Sequence, residues 1–114
     1  MSELMGIVRV KFDEGKLDDF KRLSAQCLEI VRAKDPGTLQ YDTYFNDDQS
    51  EAIVIERFTD SEALIAHGAN MNPMMEQIMA TGSISGELLG EPSEALRALL
   101  TGDQPRLFSP YLSM

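Results

Sequence analysis

The sequence predicts an α+β fold of the split βαβ, ferredoxin-like type, in which a four-stranded antiparallel sheet carries both helices on one face. Segments with the period of strands and segments with the period of helices follow in the order strand, helix, strand, strand, helix, strand. The chain has 114 residues, the length of one ordinary domain. Order and length together favour a single two-layer domain.

The first predicted strand covers residues 6–12, whose side chains alternate between an apolar and a mixed face. A turn at residues 13–15 leads into the first helix, where apolar residues recur every three or four positions from Leu17 to Val31. Cys27 lies in this stripe and is interpreted as a buried packing residue. Asp35-Pro36-Gly37 ends the helix, because a residue before proline avoids the helical region and glycine accepts a left-handed turn.

A β-hairpin follows, with arms at residues 38–46 and 51–58 and a loop at residues 47–50. The first arm alternates, and one of its faces carries Leu39, Tyr41, Thr43 and Phe45. The second arm carries apolar residues on both faces, so both faces are predicted to be covered.

The second helical region begins at Thr59-Asp60-Ser61-Glu62, which has the spacing of a capping box. Asn72-Pro73 is predicted to start a separate short helix over residues 74–80, since asparagine can cap a helix and proline fits its first position. Methionines in that segment are interpreted as core filling, or as pocket lining if the fold places them at a cavity.

The remaining chain is predicted to form a fourth strand over residues 83–90 and a helix over residues 93–100. Gly86 in this strand indicates a bulge or the close approach of another backbone. Residues 103–114 are too apolar for a free tail and too rich in proline for a helix. Residues 1–90 therefore form the expected domain, and residues 91–114 a helix and extended arm that pack on the domain or on a dimer partner.

Composition limits the partners of this protein. The formal charge of −9 repels phosphate backbones and anionic membranes, so nucleic acid and membranes are not expected partners. One cysteine cannot form an internal disulfide, which favours a reducing, cytoplasmic location. The sequence shows no secretory signal pattern and no apolar run of the roughly 20 residues that span a bilayer.

The predicted sheet leaves one face without helices. This face would carry isoleucines of the first and third strands beside Arg9 and Arg57. Exposed apolar patches of this size mark contacts, and a second copy of the chain is the simplest cover. A homodimer packed through the sheet face is therefore predicted, with the arginines as ion-pair partners or dimer contacts.

Glu56 and His67 are the candidate catalytic residues. Glu56 ends the third strand on its helix-facing side, and His67, the only histidine, follows on the next helix. Imidazole exchanges its proton near neutral pH, and a nearby carboxylate can fix its tautomer. The predicted walls of an apolar cavity around this pair are the substrate-binding candidates Tyr41, Val54, Phe58, Leu64 and Met75.

These residues also carry a family resemblance. The sequence has Gly37 before Tyr41, then Glu56-Arg57-Phe58, Glu62-Ala63-Leu64 and His67. In these positions it resembles the antibiotic biosynthesis monooxygenase superfamily of dimeric α+β barrels, over roughly residues 6–90. Oxygenases of this family need no metal or flavin, so the resemblance implies no cofactor and no metal site.

The resemblance implies a monooxygenase that oxidises a small electron-rich aromatic or quinol-type substrate with O2. In that reaction His67 would be the base, Glu56 its orienting partner and Tyr41 a hydrogen-bond donor to the substrate. The same residues would also suit an isomerase that moves a proton on a small ketone or hydroxyketone. A third possibility is a dimer that binds a small apolar molecule without catalysis, in which Glu56 and His67 only hold the helix to the sheet.

Overall fold

A computed structural model describes residues 3–114 and shows a five-stranded sheet with two long helices on one face. The elements are β1 (Leu4–Phe12), α1 (Leu17–Lys34), β2 (Thr38–Phe45), β3 (Glu51–Phe58), α2 (Ser61–Met79), β4 (Gly82–Leu89), α3 (Glu94–Leu99) and β5 (Arg106–Phe108). The strand order is β2-β3-β1-β4-β5, so β1 lies at the centre between β3 and β4. The α+β, ferredoxin-like prediction is confirmed.

The core lies between the sheet and the two long helices. Helix α1 buries Phe20, Leu23, Cys27 and Val31, one residue for each turn of the face that it turns to the sheet. Acidic residues in its first turn and basic residues in its last turn complement the helix dipole. On the sheet, the helix-facing positions of β3 are Ala52, Val54, Glu56 and Phe58, as the alternation predicted.

The prediction of four strands is wrong by one. Residues Arg106–Phe108 of the C-terminal arm pair in parallel with Glu87–Leu89 of β4 and form a fifth strand. Beyond this strand Tyr111 and Leu112 are exposed. The arm finds a partner on its own sheet because β4 would otherwise leave an edge of unpaired backbone groups.

The expected break at Asn72-Pro73 is also wrong, since α2 runs without interruption from Ser61 to Met79 with Pro73 inside it. Proline removes one backbone hydrogen bond and clashes with the preceding turn. Met71 and Met74 are buried on either side of Pro73, so packing holds the two halves in one helix.

Strand β2 does not keep the expected alternation at its start. Its register with β3 shifts between Thr38 and Gln40, and this irregularity leaves Leu39 45% exposed instead of facing the helices. Gly86 makes the predicted close approach, because a Cβ atom there would lie 2.7 Å from the carbonyl oxygen of Ile7. Among residues 3–114, the helices include none long and apolar enough to cross a membrane.

Candidate functional site

A cavity of about 620 Å³ lies between the helix-facing side of the sheet and helices α1 and α2. Its walls are mostly apolar, which is typical of a site for a small organic molecule. The structure brings together at this cavity every residue that the sequence singled out for the site: Tyr41, Val54, Glu56, Phe58, Leu64, His67 and Met75. Their roles in binding or catalysis stay predictions.

His67 is held by a buried carboxylate. It lies in the second turn of α2, and its Nδ1 is 2.7 Å from Oδ2 of Asp35, the residue that follows α1. Both residues are buried, at 6% and 5% exposure. A carboxylate only accepts hydrogen bonds, so Nδ1 carries the proton and Nε2 is the free nitrogen at the cavity.

Asn70 completes the support of Asp35. One turn after His67 on α2, its side-chain amide donates to Oδ1 of Asp35 and, at 3.4 Å, to the carbonyl oxygen of Lys34. Both carboxylate oxygens of Asp35 therefore have donors. Because both of its oxygens are bonded, the Asp35 carboxylate is fixed in position and in turn fixes the orientation of the His67 ring.

Glu56 is not the orienting partner of His67, contrary to the role expected from the sequence. Its Oε2 lies 3.9 Å from Nε2 of His67, which is too long for a hydrogen bond. The carboxyl group instead faces the free nitrogen across the cavity end. Burial raises the pKa of Glu56, while the imidazole lowers it and Asp35 raises it further. The proton-bearing form of Glu56 is thus favoured over a wider pH range than in water.

Aromatic rings flank the imidazole. The ring centroids of Tyr41 and Phe58 lie 5.7 Å and 5.2 Å from that of His67. Burial raises the pKa of the Tyr41 phenol, and the neighbouring Cys27 and Glu56 raise it further. Tyr41 therefore stays protonated and can donate a hydrogen bond. Burial likewise raises the pKa of the Cys27 thiol, which keeps it in its unreactive form at the cavity wall.

Arg9 and Arg57 lie away from these groups and form ion pairs. Arg9 contacts Glu87 at 3.1 Å, and Arg57 contacts Glu3 at 3.3 Å. Within residues 3–114, no group of three or more histidine, cysteine, aspartate and glutamate side chains is arranged to hold a metal ion.

Sequence reasoning missed Asp35 and Asn70. Asp35 precedes Pro36-Gly37, and the end of α1 was a sufficient explanation for its place in the sequence. Its contact with His67 was therefore not expected. Asn70 did offer a signal, because it follows His67 by three residues and so shares its helix face. The contact between Asp35 and His67 joins residues 32 positions apart, which no local pattern encodes.

Comparison with known proteins gives a consistent family and fold. The profile of the antibiotic biosynthesis monooxygenase family matches residues 4–80. No curated protein matches the chain.

Solved structures are similar to the chain at low sequence identity. MupZ from Pseudomonas fluorescens is 24% identical with a TM-score of 0.86, and the match covers 100% of this chain and 94% of MupZ. Rv0793 from Mycobacterium tuberculosis is 21% identical with a TM-score of 0.72, covering 82% of this chain and 99% of Rv0793. SnoaB from Streptomyces nogalater, described as a cofactor-independent oxygenase, is 18% identical with a TM-score of 0.68, covering 77% of this chain and 91% of SnoaB. At these identities the likeness establishes the fold.

Proposed function

The chain belongs to the antibiotic biosynthesis monooxygenase family, and from this premise we propose that it is a cofactor-independent monooxygenase. Its substrate would be a small electron-rich aromatic or quinol-type molecule, and its oxidant O2. The observation that carries the proposal is the 2.7 Å contact between Asp35 and Nδ1 of His67, which leaves Nε2 free at an apolar cavity. The description of SnoaB as a cofactor-independent oxygenase adds support from a protein of the same fold.

His67 acts as the general base in this proposal. Nε2 takes the hydroxyl proton of a phenol or enol, and Asp35 stabilises the imidazolium that forms. Tyr41 donates a hydrogen bond to the substrate oxygen and so favours its anion. The anion is the electron-rich species that can reduce O2, and the apolar walls keep water from the intermediates.

An anthrone-type substrate illustrates the balance of the reaction. The carbon of the enolate gives one electron to O2, and the resulting radical and superoxide combine to form a C–O bond. The imidazolium returns its proton to the peroxide. Nε2 of His67, neutral again, then takes the remaining C–H proton while the O–O bond breaks, and Glu56 in its protonated form donates a proton to the leaving hydroxide, which gives a carbonyl group and water. Transfer of the proton from Nε2 to the Glu56 carboxylate, 3.9 Å away, restores both groups. The net change is CH2 + O2 → C=O + H2O, and the substrate supplies all four electrons.

Oxygen uptake by metal-free protein with a panel of hydroquinones and anthrones tests the proposal. We expect His67→Ala to lower kcat about 10²- to 10⁴-fold, the range for losing a general base. Asp35→Asn should lower kcat at least about 10-fold, because the imidazolium loses its counter-charge. Asp42→Asn, the same change at an exposed position of β2, is the matched control and should leave kcat unchanged.

Absence of uptake by the wild type on all of these compounds would refute oxygenation of this substrate class. Wild-type rates in folded His67→Ala protein would refute the role of His67.

A second candidate is an isomerase that moves a proton on a small ketone or hydroxyketone. The 3.9 Å distance between Oε2 of Glu56 and Nε2 of His67 supports it, because an acid and a base then face the same end of the cavity. Deuterium incorporation into small ketones in D2O, followed by NMR, distinguishes this function from oxygenation. Exchange that needs both Glu56 and His67, without oxygen uptake, would favour the isomerase. Neither activity in the wild type would favour a binding protein without catalysis.

A homodimer through the helix-free sheet face is part of the proposal. Ile7, Ile53 and Ile55 are partly exposed on that face, and Tyr44 is 55% exposed beside them. A second sheet packed on these residues would remove apolar surface from water.

A further inference from the structure

The cavity is larger than a single aromatic ring requires. A cavity of roughly 150 Å³ is enough to hold benzene, whereas this one measures about 620 Å³. A compact phenol placed at His67 would leave most of the volume empty. The size therefore indicates a substrate that extends well beyond its reactive ring or enol.

The C-terminal segment, residues 91–108, supplies part of the wall. Its cavity-lining side chains are Leu96, Leu99, Leu100 and Pro105, all of them apolar. The family match ends at residue 80, so this part of the wall lies outside the region that the family shares.

The sheet register places this wall at a distance from the candidate catalytic groups. Gly6 in β1 pairs with Glu56 of β3 on one side and with Leu88 of β4 on the other. Two strand spacings therefore separate Glu56 from Leu88, about 10 Å. Leu88 shares a cluster with Leu96 of α3, and β5 lies on the side of β4 away from β1 and β3, so the C-terminal segment reaches the cavity from the β4 side.

Gly6 has no side chain to project into the cavity between the end near Glu56 and the end near Leu88. A Cβ atom on Gly6 would come within 3.3 Å of Oε1 of Glu56 and 4.0 Å of the Phe58 ring. Without a side chain there, a ligand can pass from the polar end across β1 toward β4.

The wall is fixed to the domain by polar contacts as well as by β5. The side-chain oxygen of Gln104 accepts a hydrogen bond of 2.8 Å from the backbone N–H of Gly86. The Ser61 hydroxyl, at the start of α2, accepts one of 2.8 Å from the backbone N–H of Ser93. An anchored wall can discriminate between ligands, because it does not move aside at little cost.

We propose that the C-terminal segment is the specificity wall of this cavity and that it selects substrates with one phenol or enol head and an extended hydrocarbon tail. The head lies at Tyr41, Glu56 and His67, and the tail crosses Gly6 to reach Leu96, Leu99 and Leu100. This assignment of a substrate class rests on the proposed function for the identity of the reactive end.

Calorimetric titration with 4-alkylphenols, from 4-ethylphenol to 4-hexylphenol, tests the wall without requiring a reaction. Each added methylene that enters the wall region should tighten Kd about fourfold, from its transfer free energy. Leu99 is 63% exposed, so Leu99→Asp should fold. This charge should weaken 4-hexylphenol at least about tenfold while changing 4-ethylphenol less than about twofold. Leu112→Asp, at an exposed position of the C-terminal arm that does not line the cavity, is the matched control.

A wild-type Kd that does not depend on tail length would overturn the proposal. So would a Leu99→Asp effect of equal size on both phenols, or one equal to that of Leu112→Asp. Circular dichroism checks that each variant is folded, and Leu100→Ala, which removes wall contacts without adding charge, should weaken the longer phenol selectively. Oxygen uptake is measured separately with a long-tailed hydroquinone, so tail-dependent binding without uptake would refute oxygenation and retain the wall.

Discussion

At the scale of single residues, the two carboxyl groups around His67 have different environments. Asp35 contacts Nδ1 at 2.7 Å and is hydrogen-bonded by Asn70, which makes it a counter-charge for the imidazolium. Glu56 has no hydrogen bond to the imidazole, and burial raises its pKa. Burial favours the protonated form of Glu56, which suits it to act as an acid, and the contact with Nδ1 suits Asp35 to support a base.

The raised pKa of Glu56 leads to a prediction about stability and pH. Its folded pKa lies above the unfolded value of 4.5, so the folded state binds the proton more tightly. The contribution to stability is complete below pH 4.5 and is lost as the pH rises through the folded pKa. Glu56→Gln has no carboxyl group to titrate and so does not lose this contribution. As the pH is raised from 4.5 to 8, the melting temperature of the variant should therefore rise relative to that of the wild type.

Thermal unfolding followed by circular dichroism at several pH values measures this change in relative melting temperature. Glu51→Gln, an exposed glutamate at the start of the same strand, is the matched control and should track the wild type. A constant difference between Glu56→Gln and the wild type across that range would contradict the burial argument.

At the scale of elements, α2 determines the position of the site. It carries His67 and Asn70 toward Asp35, and it holds Leu64 and Met75 along the cavity. Its start is fixed by Asp60, whose side chain accepts a hydrogen bond of 2.8 Å from the backbone N–H of Ala63. The capping-box spacing had indicated Thr59 for this position, one residue earlier.

The cap can be tested with two neighbouring substitutions. Asp60→Ala should lower the free energy of unfolding by about 1 kcal/mol, the usual effect of losing an N-cap. Thr59→Ala should lower it less, because Asp60 and not Thr59 provides the cap. Urea unfolding of both variants gives the comparison, and a larger loss for Thr59→Ala would assign the cap to the residue that the sequence indicated.

At the scale of the whole molecule, the two faces of the sheet differ. One face is covered by α1 and α2 and borders the cavity, whereas the other carries isoleucines over which no helix formed by residues 3–114 lies. Burying that second face in a homodimer would also explain why β3 is apolar on both sides.

We expect light scattering at micromolar concentration to give twice the chain mass of 12.7 kDa. Ile55→Lys should shift the protein toward the monomer, because it would place a charge in the buried interface. Gln26→Lys, at an exposed position of α1, adds the same side chain away from that face and should leave the mass unchanged. A monomeric wild type would refute the sheet-to-sheet dimer.

Much of the fold followed from local patterns. The alternation in β3 predicted which residues face the helices, and the stripe in α1 predicted its buried side, because periodicity records which face meets the core. The predictions for Pro73 and Leu39 were wrong because, at these two positions, the local pattern does not record the tertiary contacts. Burial of the flanking methionines keeps α2 continuous, and a register shift against β3 turns Leu39 outward. Local preference was overridden there by contacts with distant parts of the chain.

The sequence by itself determined the α+β class and identified Glu56 and His67, since both follow from residue type and position within one element. Only the tertiary structure decided that Asp35 orients His67, that Glu56 faces its free nitrogen and that the C-terminal segment lines the cavity. The physical reason is the same in each case. A hydrogen bond or a shared wall between distant residues depends on how α1, α2 and the sheet pack together, and local periodicity carries no record of that distance.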